Sequence, residues 1–304
     1  MAEAAAPTRA GFVAIVGAPN VGKSTLLNRL VGTKVSIVSP KVQTTRRRVI
    51  GITIQGPCQI MFVDTPGIFV PKRSRLETAM VKAASAGIAD ADLVLLLLDA
   101  KKGLDANGRL AMAQLERERR RAFLVVNKID AVSPERALPL ISAANAAFPF
   151  EATYIVSALE GDGCDDLLRA VAEALPEGPW LFPENQLSDL SDRALAAEIT
   201  REQIFHRLHQ ELPYSVTVET EGWAEAPDGD EVRIDQTIYV LRDSQKPIVI
   251  GKKGQTLRAI GEAARVELER ILERRVHLFL FVKVRGNWLD DPERYREMGL
   301  DFER

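Results

Sequence analysis

An apolar run, Phe12-Val13-Ala14-Ile15-Val16, leads directly into Gly17-Ala18-Pro19-Asn20-Val21-Gly22-Lys23-Ser24, which fits the pattern GxxxxGK[ST]. Ser24-Thr25-Leu26-Leu27-Asn28-Arg29-Leu30 then reads as a helix, so a buried strand, a glycine-bounded loop and a helix follow one another without a gap. Gly17 and Gly22 have no Cβ and let the backbone curl until successive N–H groups face one point, which suits phosphate oxygens at a helix N-terminus. Lys23 would neutralise β- and γ-phosphate charge, and the Ser24 hydroxyl would sit on Mg²⁺. Gly17, Asn20, Val21, Gly22, Lys23, Ser24 and Thr25 are therefore the candidate phosphate-binding residues.

From Ala10 to about Leu175, strand-like and helix-like segments alternate, which predicts an α/β domain with a mostly parallel sheet and helices on both faces. The strands are expected at Phe12 to Val16, Arg48 to Ile54, Gln59 to Val63, Leu93 to Leu98, Phe123 to Val126 and Thr153 to Val156. Ligands of such sheets bind at the carboxyl ends of the strands. Pro176, Gly178, Pro179 and Pro183, with polar residues up to Asp192, mark a linker over 176–192. Beyond it come a helix from Arg193 to Leu212, two alternating strands around Pro227-Asp228-Gly229-Asp230, a long helix from Thr256 to Leu272 and a strand from Val276 to Val284. The expected domains are 1–175, joined through the linker to an α+β unit over 193–304.

Asn127-Lys128-Ile129-Asp130 caps an apolar strand and selects the base. Guanine offers two adjacent donors, N1–H and the exocyclic amine, that the Asp130 carboxylate can accept together, and adenine has no such pair. Lys128 is long enough to lie across the base, Asn127 can tie this loop to the phosphate loop, and Ser157-Ala158-Leu159 fits a segment whose Ala158 N–H would reach O6 of guanine. Asp64-Thr65-Pro66-Gly67 follows the strand Ile60-Met61-Phe62-Val63, where Asp64 can touch Mg²⁺ through water and the Gly67 N–H can reach a γ-phosphate. The polar stretch Lys41 to Arg48 lies where a nucleotide-sensitive switch belongs; Thr45, or alternatively Thr44, would complete the Mg²⁺ shell while γ-phosphate is present. Lys23, Thr45 and Gly67 are the candidate catalytic residues, and Ser24, Thr45 and Asp64 the candidate metal ligands. Ile68 follows Gly67 and cannot orient a water as a glutamine there would, so hydrolysis is expected to be slow. Asn20 would help hold a K⁺ ion beside the phosphates.

In the second domain, Gly251-Lys252-Lys253-Gly254 lies between an apolar segment and a helix. Two glycines admit a sugar-phosphate backbone closely and two lysines attract it, the pattern of a KH loop that clamps single-stranded RNA. Gly251, Lys252, Lys253, Gly254 and Arg258 are the candidate RNA-binding residues. The stretch 246–285 carries ten Lys or Arg against four Glu, a local balance of +6 inside a chain of net charge -2. Trp180, Trp223 and Trp288 are better explained as packing than as stacking platforms. Cys58 and Cys164 form no metal-ligand spacing with His206, His209 and His277, and are expected to pack as small apolar side chains. The aliphatic run Leu93 to Leu98 is too short to cross a bilayer and Met1 to Ala10 lacks a secretory apolar core, so a cytoplasmic protein is expected.

Taken together, Gly17 to Thr25, Gln43-Thr44-Thr45-Arg46, Asp64 to Gly67, Asn127 to Asp130, Ser157-Ala158-Leu159 and Gly251 to Gly254 resemble the Era family of bacterial GTPases over nearly the whole chain. The resemblance implies a P-loop GTPase domain followed by a type II KH domain. It also implies that the KH domain binds the 3′ region of small-subunit ribosomal RNA during assembly of the 30S subunit, with peripheral contact at the inner membrane; the protein is expected to be a monomer. Two other classes share part of these residues: an RNA-binding protein with a degenerate nucleotide site, and a GTPase switch directed at membrane or protein partners. Relatives with two G domains and a KH-like end are disfavoured by the single P-loop.

Overall fold

The computed structural model describes residues 7–41, 44–69, 75–209, 212–286 and 288–302. It divides into two compact units, one formed by 1–36, 45–189 and 296–304, the other by 37–44 and 190–295. Val42 and Gln43 of the expected switch lie outside the described residues, as do residues 210 and 211 of the expected helix.

The first unit is built on six strands, β1 (Arg9–Gly17), β2 (Val49–Gln55), β3 (Cys58–Asp64), β4 (Leu93–Asp99), β5 (Ala122–Asn127) and β6 (Ala152–Val156), in the order β2-β3-β1-β4-β5-β6. All neighbouring pairs are parallel except β2 and β3, which the turn at Gly56, with φ 56°, joins as a hairpin. Five helices accompany the sheet: α1 (Lys23–Val31), α2 (Arg75–Ala89), α3 (Ala106–Glu118), α4 (Pro134–Ala147) and α5 (Cys164–Ala174). β3 and β4 are buried along their whole length, as strands of a sheet covered on both faces must be, which is why Leu93 to Leu98 is unbroken by a polar residue. Because β1, β3, β4, β5 and β6 run the same way, the loops after them emerge along one edge. Register brings Ile15 beside Asp64 and Asp99 beside Asn127.

Residues 176–189 belong to this unit and are held by isolated backbone bridges and by side chains rather than by a continuous helix or strand. The fully buried Gln59 accepts from the N–H groups of Leu181 (2.8 Å) and Phe182 (3.0 Å) and donates to the Phe182 carbonyl (2.8 Å). The Ile52 N–H donates to the Leu187 carbonyl at 2.9 Å and Asp189 accepts from the Ile50 N–H at 2.9 Å, so this segment covers the open edge of β2.

The second unit has α6 (Asp192–Arg207), β7 (Val216–Glu225), β8 (Glu231–Val240), α7 (Lys246–Ile250), α8 (Gln255–Leu272), β9 (Arg275–Val284) and α9 (Pro292–Glu297), of which the last straddles the boundary. Its sheet order is β7-β8-β9, with the first pair antiparallel and the second parallel, so α7 and α8 form the crossover that a parallel pair requires. Ile260, Ala264 and Leu268 recur at four-residue spacing on α8 and bury against Val232, Ile234, Ile238 and Val276 of the sheet.

The expected helix from Arg193 to Leu212 stops at Arg207. Leu208 turns into extended backbone while its N–H still bonds to the Ile204 carbonyl, and Pro213, one of the residues of the following 3₁₀ turn, cannot continue an α-helix. Ile248-Val249-Ile250 forms the end of α7. Trp288 is fully buried, donating its indole N–H to the Ser215 carbonyl at 3.3 Å, which is packing. Cys58 and Cys164 are buried free thiols, and burial pushes Cys164 up to about 11. Among the described residues no helix is long and apolar enough to cross a membrane.

Candidate functional site

The loop between β1 and α1 needs its glycines for different reasons. Gly17 has φ 149°, and a Cβ there would lie 2.5 Å from the Leu97 carbonyl oxygen; Gly22 has φ 100° and would meet Asn127 Nδ2 at 2.3 Å. Asn20 adopts φ 64°, one of five non-glycine residues in the left-handed region among the described residues. Lys23, 7% exposed, folds back to donate to the carbonyls of Ala18 (3.2 Å) and Gly17 (3.4 Å). Burial lowers its pKa to about 8 although Asp64 pulls the other way, so the ammonium lacks the counter-charge that phosphate oxygens would bring. Thr25, in the first turn of α1, is half-buried.

Asp64, at the end of β3 and fully buried, gathers three hydroxyls on Oδ2: Ser24 at 2.6 Å, Ser36 at 2.9 Å and Thr45 at 3.3 Å. Ser24 Oγ and Thr45 Oγ1 are 3.1 Å apart. Burial raises the Asp64 pKa, opposed by Lys23 and by the three hydroxyls. Asp64 Oδ1 is buried and has no hydrogen-bond partner. An orphaned carboxylate oxygen beside two hydroxyl oxygens is a hard, all-oxygen donor set, and it fits Mg²⁺. The neighbouring Thr44 is turned the other way, its hydroxyl donating to the Lys41 carbonyl at 2.8 Å. After Asp64 the chain is pinned against the phosphate loop: Thr65 donates to the Ile15 carbonyl (3.1 Å), the Ile68 N–H to the Gly17 carbonyl (3.1 Å), and a Cβ on Gly67 would lie 3.0 Å from Pro19 N. Ile68 is 1% exposed and part of the apolar core, so its side chain cannot serve a water.

The base-reading residues come from the ends of β5 and β6. Asn127, 1% exposed, donates Nδ2 to the Val21 carbonyl at 2.8 Å, while its Oδ1 accepts from the N–H groups of Lys128 (2.8 Å) and Ala158 (3.0 Å). The Ala158 N–H expected to reach a guanine oxygen is thus engaged by Asn127 here. Lys128, at φ 67°, sends its Nζ to the Asn20 carbonyl and to Asp99 Oδ2, both at 2.7 Å, so its aliphatic stem bridges the two loops. Asp130 is exposed, its carboxylate held by the Ser157 hydroxyl at 2.6 Å. Two contributors are absent from the sequence reading. Ser36 is one; the other is Asp99, whose signal was present, since a carboxylate that ends a fully buried strand opposite Asn127 needs a cation, and Lys128 is that cation.

In the second unit, Gly251 (φ 75°) has no room for a Cβ, which would sit 2.1 Å from Thr256 Oγ1, whereas Gly254 (φ 78°) faces open space. Lys252, Lys253 and Arg258 are exposed. Beside them Gly254, Leu257, Arg258, Gly261, Glu262 and Arg265 of the α8 region and Leu278 and Leu280 of β9 line a groove of about 540 Å³. The local positive balance is smaller than the sequence suggests. Arg265 and Arg270 pair with Glu269 and Glu267 on their own helix; Arg274, Arg275, Lys283 and Arg285 pair with Glu225, Glu231, Glu221 and Glu219 from the other strands. Among the described residues, Lys246, Lys252, Lys253 and Arg258 make no ion pair, so the available charge concentrates at the GxxG turn.

The 50S ribosome-binding GTPase family model matches residues 12–128, and the KH domain model matches 211–289. A GTPase Era of Mesorhizobium japonicum is 62% identical over 295 residues, which cover 97% of this chain and 94% of the relative. The chain belongs to the Era family of GTPases. It is a P-loop GTPase with a mostly parallel sheet, followed by a KH domain. The GTPase Era of Brucella suis is 59% identical over 98% of the chain and 95% of its own length. Two solved Era structures, each 43% identical with a TM-score of 0.90, cover 96% of this chain and 99% of theirs: one in complex with MgGDPNP and nucleotides 1506–1542 of 16S ribosomal RNA, the other an Aquifex aeolicus variant bound to GDP and AlF4⁻.

Proposed function

We propose that this Era-family GTPase binds GTP and Mg²⁺ in the cradle described above, hydrolyses GTP slowly, and holds small-subunit ribosomal RNA in the GxxG groove as a nucleotide-controlled factor in 30S assembly. The observation that carries the nucleotide half is the convergence of the Ser24 and Thr45 hydroxyls on one carboxylate oxygen of Asp64 while its other oxygen is buried without a partner, next to a lysine whose pKa burial lowers in spite of Asp64. Lys23 neutralises the β- and γ-phosphates, Gly67 donates its N–H to the γ-phosphate, and Ser24, Thr45 and Asp64 hold the metal, which when bound offsets charge on the phosphoryl oxygens. Gly17, Asn20, Val21, Gly22, Ser24 and Thr25 line the phosphates; Asn127, Lys128, Asp130, Ser157 and Ala158 hold the guanine. Slow turnover follows from Ile68, buried where a water-orienting group would be needed.

Gly251, Lys252, Lys253, Gly254 and Arg258 clamp the RNA backbone, a reading supported by the unpaired cations at the turn and by the 16S ribosomal RNA held by an Era structure of similar fold. Residues 1–175 and 193–304 are the working domains, with 176–192 between them. We extend the reading to a cytoplasmic monomer and, on the family resemblance alone, to peripheral contact at the inner membrane. Calorimetry with GTP, ATP and a single-stranded 16S 3′ fragment tests the whole. Tight GTP binding, at least a hundredfold weaker ATP binding and RNA affinity that differs between GDP and GDPNP are expected, taking roughly 3 kcal/mol for two charge-assisted hydrogen bonds. Equal affinity for the two purines, or indifference to the RNA, sinks it.

A further inference from the structure

The two carboxylate oxygens of Asp64 are used unequally. Oδ2 accepts from three hydroxyls, Ser24 at 2.6 Å, Ser36 at 2.9 Å and Thr45 at 3.3 Å, whereas Oδ1 is buried with no partner among the described residues. Both oxygens lose water on burial, so stability alone would share the donors between them. Ser24 and Thr45 are themselves read as holding the metal; Ser36 comes from neither the phosphate loop nor the switch. The way Ser36 is placed is specific. Helix α1 ends at Gly32, whose left-handed φ of 82° turns the chain back along the helix. Asn28, one turn earlier, uses its whole side-chain amide on the returning segment: Oδ1 accepts from the N–H groups of Val35 and Ser36, both at 2.9 Å, and Nδ2 donates to the Ser36 carbonyl at 2.7 Å. Asparagine is a poor residue for a helix interior, and these bonds to non-helical backbone account for its presence. Val35 is buried where β2 carries Gly51, a Cβ on which would lie 3.2 Å from Val35 Cγ2. The main chain of Ser36 is thus held on both its donor and its acceptor, and its buried hydroxyl is delivered to the end of β3. All these residues belong to the first unit.

We infer that Ser36 is a positioning residue for the metal-holding carboxylate of Asp64, and that Asn28 acts by placing Ser36. By donating to Oδ2, Ser36 fixes the carboxylate plane and leaves Oδ1 free of protein donors. Without that bond the carboxylate can turn about its last torsion, which is soft, and bring Oδ1 to the Ser24 or Thr45 hydroxyl instead. Ser36 acts on Asp64 and not on the γ-phosphate side of the site, so its effect falls alike on the diphosphate and the triphosphate, whereas that of Thr45 is confined to the triphosphate. This inference rests on the reading of Asp64 as a residue that holds the metal, so the experiment contains a control for that reading.

In the full chain, calorimetry gives the affinity for GDP and for GDPNP across a Mg²⁺ series, and hence the Mg²⁺ midpoint, together with the GDP affinity in EDTA. The proteins are the parent, Asp64→Asn, Ser36→Ala, Asn28→Ala and the double variant Asn28→Ala with Ser36→Ala, each at a temperature where its melt shows it folded. Asp64→Asn raises the midpoint. Ser36→Ala raises it for both nucleotides by roughly tenfold, the order of one hydrogen bond to a charged group, while the metal-free GDP affinity moves by less than about twofold. Asn28→Ala does the same, and the double variant is no worse than either single one. A midpoint that moves with Asp64→Asn but not with Ser36→Ala overturns the inference and leaves Asp64 a holder of the metal. A midpoint indifferent to Asp64→Asn overturns that reading, and the inference with it. A metal-free affinity that falls as far as the metal-dependent one assigns Ser36 to the general stability of the loop, and additive losses in the double variant separate Asn28 from Ser36; either result overturns the inference. Ser36→Ala removes a single oxygen and adds no bulk, so it decides alone if Asn28→Ala does not fold.

Discussion

Lys23→Met should stabilise the nucleotide-free protein while abolishing nucleotide binding. The Lys23 pKa drops from 10.5 to about 8 on folding, and that drop already includes the favourable pull of Asp64. At about 1.36 kcal/mol per unit, the folded state bears roughly 3 kcal/mol for keeping this ammonium charged. The sign with pH follows from proton counting. Below pH 8 both states carry the proton and the whole penalty is present; between 8 and 10.5 the unfolded chain binds more protons than the folded one, so stability rises with pH; above 10.5 both are neutral. Methionine has similar length and no charge. At pH 7, Lys23→Met should therefore unfold about 3 kcal/mol later, roughly 6–12 °C in midpoint for a unit of this size. The gap should close by pH 10.5, the upper value of the shift. Saturating GDP and Mg²⁺ should reverse the order, since ligand at a thousandfold its dissociation constant adds about 4 kcal/mol to the parent alone. Calorimetric melts from pH 7 upward check this. A variant that melts at or below the parent at pH 7, or keeps its advantage at high pH, refutes the account of Lys23 as a cation awaiting phosphate.

Asp130→Asn replaces the acceptor pair for guanine with a mixed donor and acceptor; GTP affinity should fall by roughly a hundredfold, and xanthosine triphosphate, whose C2 oxygen accepts a hydrogen bond, should gain, as competition calorimetry would show. Gly251→Ala would place its Cβ 2.1 Å from Thr256 Oγ1 and should unfold the second unit, whereas Gly254→Ala meets nothing and should cost only about 1–2 kcal/mol of backbone strain; circular dichroism melts separate the two. Replacing Lys252 and Lys253 together by Ala should weaken binding of single-stranded RNA and reduce the slope of log affinity against log salt by about 1.4, measured by fluorescence anisotropy. If Asn20 helps seat a monovalent cation by the phosphates, hydrolysis in K⁺ should exceed that in Na⁺; phosphate release at equal rates rejects it.

What could be read from the sequence was whatever is local in the chain. The phosphate loop is fixed by neighbours in sequence, an apolar strand before it and a helix after it, and Asn127 by the strand it ends. The antiparallel β2–β3 hairpin shows as two apolar runs around Gly56-Pro57. The features that sequence does not display are those made by distant partners. Pro213 signals that a helix cannot run on past Leu212, but not that α6 ends five residues before Leu212, where the carbonyls at its end are met by Lys41, more than 160 positions upstream. The positive balance over 246–285 likewise misleads until the sheet sets glutamates of β7 and β8 beside those arginines, and Ser36 acquires its meaning only when β3 carries Asp64 to it.

The backbone leaves the first unit after Ser36, returns at Thr45, leaves again after Asp189 and comes back at Arg296. Two folding bodies joined by a single tether can be cut apart and studied separately; a pair stitched by four crossings cannot. A fragment ending near Asp189 would carry Ile37 and its neighbours stripped of their helix, and one beginning at Leu190 would expose the apolar side of α6 that Ile37 covers. Dissection of this protein by truncation would thus alter both halves, and point substitution in the intact chain is the sounder instrument.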